Sequence, residues 1–185
     1  TGCVATAMAQ VMKYWNYPEH GKGFKTFIWS DIDTIDYENT YYRWSQMTPS
    51  ANSQSGDAIA ELMYHCGVSV NMNYGPDGSS SYTEWVPDAM KDYFRYHPSI
   101  RFKQRSKFTD YDWDILIRDE LNFRRVVIYS GSGTGGHAFV CDGYQDTCFY
   151  HFNWGWSGYA NGYYYYNDLT PGSNDFSYGQ GAVVR

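Results

Sequence analysis

Most of the apolar side chains in this chain are rings. It carries 20 Tyr, 10 Phe and 7 Trp against 10 Val, 8 Ile and 4 Leu. A core of such residues buries hydroxyl and indole N–H groups with the rings, and each buried group needs a hydrogen-bond partner. The 185 residues allow one ordinary domain, or one domain built as two lobes. A hydrophobic fraction of 43% excludes disorder, and a net charge of −6 excludes a whole-protein basic field for nucleic acid. No apolar run approaches the roughly 18–20 residues of a membrane helix. The longest clean one, Val126-Val127-Ile128-Tyr129, reads as a buried strand. The four cysteines, Cys3, Cys66, Cys141 and Cys148, form no CxxC, which argues against a zinc knuckle. They are too few and too scattered for a disulfide scaffold, and no metal or cofactor is expected.

Helical periodicity dominates the first half. Val4, Met8, Val11, Met12 and Trp15 make one apolar stripe over residues 3–15, with Thr1 as candidate N-cap and Pro18 beyond the end. Residues 20–53 read as loop and short strand. A second helix starts at Ser55, shows Ile59, Leu62, Met63 and Cys66 on one face, and stops at Gly67. A strand over Val68–Tyr74 follows, then the turn Gly75-Pro76-Asp77-Gly78 and the run Ser79-Ser80-Ser81. A third helix is expected near 84–95 with Pro87 in its first turn. Arg101, Lys103, Arg105 and Lys107 alternate with other residues, which reads as one solvated basic strand face. Thr109 and Asp112 form a capping box for a fourth helix. Beyond Arg125 short strand patterns follow at 126–130, 137–142, 149–153 and 163–166, and Ala182–Val184 closes the sheet. Helices first and antiparallel strands later is the α+β pattern. No linker separates domains, so residues 1–185 are expected to form a single domain.

Three residues stand out chemically. Cys3 opens an amphipathic helix, where backbone N–H groups and the dipole stabilise a thiolate. Alone, it reads more readily as a small apolar residue packed under a sheet, which its place at a helix start weakens but does not overturn. His137 ends the run Gly131-Ser132-Gly133-Thr134-Gly135-Gly136 and begins a strand, and glycines there leave room for another backbone beside the imidazole. Asn153 lies in Asn153-Trp154-Gly155-Trp156. A ladder folding back about the turn 143–147 puts Asn153 directly across from His137. Its side-chain oxygen then accepts from one imidazole nitrogen, leaves the other for a thiol, and Trp154 shields that bond from water. Cys, His and Asn in this order and rough spacing describe a nucleophile, a base and an orienting group. The same register sets Cys141 across from residue 149, which argues against a Cys141–Cys148 disulfide.

The segment Thr1-Gly2-Cys3-Val4-Ala5-Thr6-Ala7-Met8-Ala9-Gln10-Val11-Met12-Lys13-Tyr14, with Asn16-Tyr17-Pro18 after it, resembles the nucleophile segment of the streptopain family of papain-like bacterial cysteine peptidases. Gly135-Gly136-His137-Ala138-Phe139-Val140 is similar to the family's histidine motif, and Tyr150-His151-Phe152-Asn153-Trp154-Gly155-Trp156 to its Asn-Trp motif. The Tyr74-Gly75-Pro76 turn with its serine run is similar to a substrate-site loop. The resemblance implies a papain-like α+β fold with the nucleophile helix packed on the C-terminal sheet. It implies Cys3 as nucleophile, His137 as base and acid, and Asn153 and Trp154 as supports of the histidine. Ser80, Gly135 and Gly136 fall where the family contacts the substrate backbone. It further implies secretion from a bacterium, an inhibitory propeptide, protein or peptide substrates with a hydrophobic residue two before the cut, and no cofactor or metal. A chain starting at Thr1 with neither Met nor signal peptide is read as a piece of a longer product. The Gln that completes the family's oxyanion hole is expected upstream of it.

Two other readings use the same residues. One is a papain-clan amidase acting on cell-wall peptide or forming an amide. The other is an aromatic-rich carbohydrate-binding module with Trp154, Trp156 and Tyr163–Tyr166 as a stacking platform, which leaves Cys3 idle.

Overall fold

The computed structural model describes residues 1–28 and 32–185. They separate into two compact units, Thr1–Ile100 and Arg101–Arg185. Helices are the main regular elements of the first and an antiparallel sheet that of the second, as the α+β pattern predicts.

In the first unit, α1 spans Cys3–Trp15. Its N-cap is Gly2, not Thr1, and no side chain caps it. The helix ends at Asn16, whose left-handed backbone (φ 48°) lets its N–H reach the carbonyl of Lys13. Strands β1 (Phe24–Ile28) and β2 (Ile32–Asp36) pair antiparallel, and Lys25 Nζ ties the pair to the Ser69 carbonyl (2.9 Å). Helix α2 runs Gly56–Ser69, past the expected stop. Gly67 lies within it, because the Tyr74 hydroxyl sits where a side chain would be, 2.1 Å from an ideal Cβ. The strand expected over Val68–Tyr74 is consequently absent. Helix takes its first residues, Asn71 turns the chain at φ 49°, and a single bridge joins Asn73 to Ser80. Helix α3 (Val86–Tyr93) carries Pro87 in its first turn, as expected. Met8, Met12, Leu62, Cys66, Met72 and Met90 are all buried here, and the Cys66 thiol donates to the Met12 sulfur at 3.6 Å.

In the second unit, β3 (Arg101–Gln104) ends earlier than the period-two pattern predicts. Arg105 turns inward to pair with Asp110 and lies over the rings of Trp113 and Tyr166, so the basic residues do not form one solvated face. Helix α4 (Asp110–Asn122) is capped as predicted, with Thr109 Oγ1 accepting from the Asp112 N–H at 3.1 Å. Strands β4 (Val127–Ser132), β5 (Gly136–Tyr144), β6 (Phe149–Asn153), β7 (Gly162–Tyr165) and β8 (Tyr178–Val184) complete a six-stranded sheet in the order β3-β8-β4-β5-β6-β7.

The rings of this unit find the partners their polar ends require. Trp113 Nε1–H donates to the Tyr129 hydroxyl (2.8 Å), which donates to Gln180 Oε1 (2.5 Å). Gln180 Nε2 in turn donates to the carbonyls of Tyr166 (2.6 Å) and Ser177 (2.7 Å). The buried Asp114 accepts from the Tyr150 hydroxyl and the Cys148 N–H and pairs with Arg118. A satisfied buried network of this kind holds one arrangement, because any other leaves a polar group unpaired in a low dielectric. All four cysteines are free thiols.

Candidate active site

Cys3 and Ser80 lie in the first unit; Gly135, Gly136, His137, Asn153 and Trp154 lie in the second. Cys3 is half-buried at the first residue of α1. No acidic side chain stands in that first turn, and the opening N–H groups of a helix have no intrahelical acceptor. The segment before it is tightly packed: a Cβ on Gly2 would lie 2.4 Å from Met72 Sδ and 3.1 Å from the Ser79 carbonyl oxygen. That contact sets the serine run beside the helix start. Ser80 is exposed, but its N–H and carbonyl are both engaged by Asn73 (3.0 and 2.9 Å), so its side chain is the part left to meet a ligand. The other three cysteines suit attack poorly, since burial pushes the thiols of Cys66, Cys141 and Cys148 up.

His137 sits on β5 with the exposed Gly135 and Gly136 before it. An added Cβ at either glycine would meet nothing within 4 Å, which keeps the expected room for a passing backbone. His137 Nε2 lies 2.8 Å from the Trp154 carbonyl oxygen. A carbonyl only accepts, so Nε2 carries the proton and, in the neutral ring, Nδ1 is the basic nitrogen. Burial pushes the ring below the usual histidine range, and the bond to Trp154 pulls it partway back. Three rings pack on the imidazole: Trp156 at 4.9 Å and 23°, Phe176 at 5.0 Å and 37°, and Phe139 at 5.7 Å and 29°.

The strand register corrects one expectation. Asn153 lies across from Val140, not His137. Strand β5 runs on to Tyr144, which pairs with Tyr150, so the turn falls later than the residues between suggested. A shift between Cys141 and Gly143 then leaves Asp142 as an extra residue on β5. Cys141 accordingly faces Phe152, not residue 149. The acceptor found on the imidazole is thus a backbone carbonyl one residue further on. The Asn153 side-chain oxygen accepts from the Gly155 N–H at 3.0 Å, within the turn that presents that carbonyl. Trp154 is fully buried, its indole N–H donates to the Ala160 carbonyl (3.0 Å), and its own N–H donates to Asn161 Oδ1 (3.0 Å). The carbonyl is therefore pinned from several sides.

Phe176 carries no signal in the sequence, because it belongs to a loop remote from every motif. Among the described residues no group of three or more His, Cys, Asp or Glu could hold a metal ion, and no helix is long and apolar enough to cross a membrane.

Known cysteine peptidases are similar to this chain over nearly its whole length. Streptopain of Streptococcus pyogenes is 38% identical over 207 aligned residues covering all of this chain, which spans about half (52%) of that protein's length. The active interpain A cysteine protease of Prevotella intermedia superposes with a TM-score of 0.91 at 35% identity, covering 98% of this chain and 81% of that one. A mutant prointerpain A fragment from the same organism gives 0.87 at 35% identity, covering 99% of this chain and 62% of that one. Residues 1–164 match the Peptidase C10 family, and the chain belongs to that family.

Proposed function

We propose that residues 1–185 are a single papain-like catalytic domain of a secreted bacterial cysteine endopeptidase, with Cys3 as nucleophile and His137 as base and acid. The observation that carries this reading is the Nε2–H bond from His137 to the Trp154 carbonyl, which leaves Nδ1 as the proton acceptor. In the proposed reaction Nδ1 takes the Cys3 proton and the thiolate attacks the scissile carbonyl carbon. The imidazolium returns the proton to the departing amine as the C–N bond breaks, leaving an acyl thioester. Water then adds to the thioester with Nδ1 taking its proton, and the thiolate leaves. The Cys3 backbone N–H is one donor to the oxyanion of each step.

Asn153 shapes the turn that presents the Trp154 carbonyl, and so supports the histidine through that carbonyl. Gly135, Gly136 and Ser80 are assigned to the substrate backbone, and a hydrophobic residue two before the cut is the expected preference. A precursor with an inhibitory propeptide is proposed by analogy with prointerpain A. The stacking-platform reading loses its centre, because Trp154 is fully buried and only Tyr163 and Tyr165 of the tyrosine run are well exposed. The deciding experiment is casein digestion before and after iodoacetamide, with the labelled cysteine mapped. Loss of digestion with the label on Cys3 is expected. Digestion that survives complete labelling of Cys3 overturns the proposal, and labelling without any casein cleavage favours the amidase.

A further inference from the structure

The loop that follows β7 delivers a ring to the imidazole, and its backbone is fastened so that the ring stays there. Phe176 is 4% exposed. Its centroid lies 5.0 Å from that of His137, that of Trp156 lies 4.9 Å from it, and the two rings are 6.0 Å from each other. Rings sandwiching the imidazole would stand apart by nearly the sum of the first two distances. Trp156 and Phe176 therefore cover adjoining sides of it.

Residues 175–177 are held at several points. Thr134 N–H donates to the Asp175 carbonyl (3.0 Å), and Asp175 N–H donates to Thr134 Oγ1 (2.6 Å). Phe176 N–H donates to the Leu169 carbonyl (2.9 Å), and Leu169 N–H donates to Ser177 Oγ (2.9 Å). The Ser177 carbonyl takes Gln180 Nε2, the end of the buried relay from Trp113. The Phe176 carbonyl oxygen lies against Gly131, 2.0 Å from where a Cβ would stand, so the strap passes directly over β4.

We propose that Phe176 is a positioning residue for His137, and that the 175–177 strap holds its ring against the imidazole. The proposal rests on the peptidase reading above. A histidine ring turns in a broad torsional well, and the single bond to the Trp154 carbonyl lets its plane swing about the bond direction. Packing on adjoining sides removes that freedom and aims Nδ1 along one line. The same ring keeps water from the Nε2–H bond. The titratable groups on the elements packed around the imidazole are Tyr129 on β4, Cys141, Asp142 and Tyr144 on β5, Tyr150 and His151 on β6, and Asp175 in the strap; on the proposed reading the Cys3 thiolate is added. The two causes acting on the ring are burial, which lowers it, and the Trp154 carbonyl.

The test compares Phe176→Ala, Phe176→Leu and Phe176→Tyr with the unaltered full chain. It reads kcat and KM on a fluorogenic peptide between about pH 5 and 9, and the His137 ring titration by NMR in a Cys3→Ser background. Phe176→Ala is expected to lower kcat about tenfold to a hundredfold with KM within about threefold, since a small misplacement of a catalytic group costs that much. Its His137 midpoint should move up toward the ordinary histidine value. Phe176→Tyr should stay within about threefold of the unaltered chain in kcat, with Phe176→Leu between the two. Should Phe176→Ala not fold, the midpoint and kcat of Phe176→Leu carry the test. An unmoved midpoint with unchanged kcat overturns the proposal, as does a loss in Phe176→Tyr equal to that in Phe176→Ala. A chain without peptidase activity whose midpoint still rises in Phe176→Ala refutes the peptidase reading and supports the ring clamp.

Discussion

The two units are built from different apolar stock. Every methionine lies in the first, and Met8, Met12, Met47, Met72 and Met90 are buried there beside Val4, Leu62 and Val86. The second buries Trp113, Tyr129, Phe139, Tyr150, Phe152, Trp154 and Phe176 around its sheet. Methionine is flexible and fills irregular gaps. Rings have few torsions and fix direction. The difference matches what each unit's candidate catalytic residue requires. Cys3 owes its place to backbone, a helix start that any well-filled core can hold. His137 needs its ring plane set as well as its position, and the side chains around it are planar.

The largest expected effect separates the reacting atoms from their supports. Cys3→Ala should lower peptide turnover by at least about a thousandfold, with far-UV circular dichroism unchanged. Asn153→Ala should lower kcat only about tenfold to a hundredfold, because the Trp154 carbonyl stays in the chain and only its turn loosens. Equal losses would mean that Asn153 acts on the imidazole itself.

Next comes a test of how stiff each core is. Gly131→Ala drives a methyl into the Phe176 backbone carbonyl and should cost about 3 kcal/mol in chemical denaturation. Gly67→Ala clashes with the far end of the Tyr74 side chain and makes an ordinary contact with Met72 Cβ. That clash is offset by a helix-propensity gain of about 1 kcal/mol, leaving a net change within about 1 kcal/mol. If Gly67→Ala costs as much as Gly131→Ala, the contrast between an adaptable and a rigid unit is wrong.

Acid should act on both units through one histidine each. Burial pushes His65 and His137 below the ordinary value. Above the unfolded value of about 6.5 neither ring binds a proton in either state, so stability there is flat in these groups. As pH falls below it the unfolded chain takes up protons first, and stability drops by at most about 1.4 kcal/mol per pH unit for each ring. His65→Gln and His137→Gln should each remove part of that slope between pH 7 and the folded-state values. Denaturant midpoints across this range, with no flattening in either variant, would refute it.

The smallest effect concerns helix starts. Thr109→Ala removes the side-chain acceptor of α4 and should cost about 1 kcal/mol. Thr1→Ala should change stability by no more than a few tenths of a kcal/mol, because Gly2 is the N-cap of α1 and no side chain caps it. A matching loss at Thr1, read by thermal melting, would restore Thr1 as a cap.

Local chemistry made much of this molecule legible. The 3.6-residue stripe from Val4 to Met12, the Thr109 cap, Pro87 in a first turn and the strands after Arg125 are decided by side chains within a few residues of each other, and all are found, with strand ends shifted by a few residues and Trp15 of the stripe left exposed. Cys3 at a helix start and His137 at a strand start are legible for the same reason. The failures share a different cause. Gly67 looks like a helix stop until Tyr74 packs over it, and Arg105 looks solvated until Asp110, Trp113 and Tyr166 draw it in. Asn153 faces His137 only in a ladder with an earlier turn and no shift at Asp142, and which residue a strand leaves unpaired depends on what packs on both faces. The sequence by itself determined which residue types could do acyl-transfer chemistry and the elements that carry them. Tertiary structure alone decided which atom holds the imidazole and which ring from a distant loop lies on it. Hydrogen-bond acceptors on the backbone are the same at every residue, so only packing can choose among them.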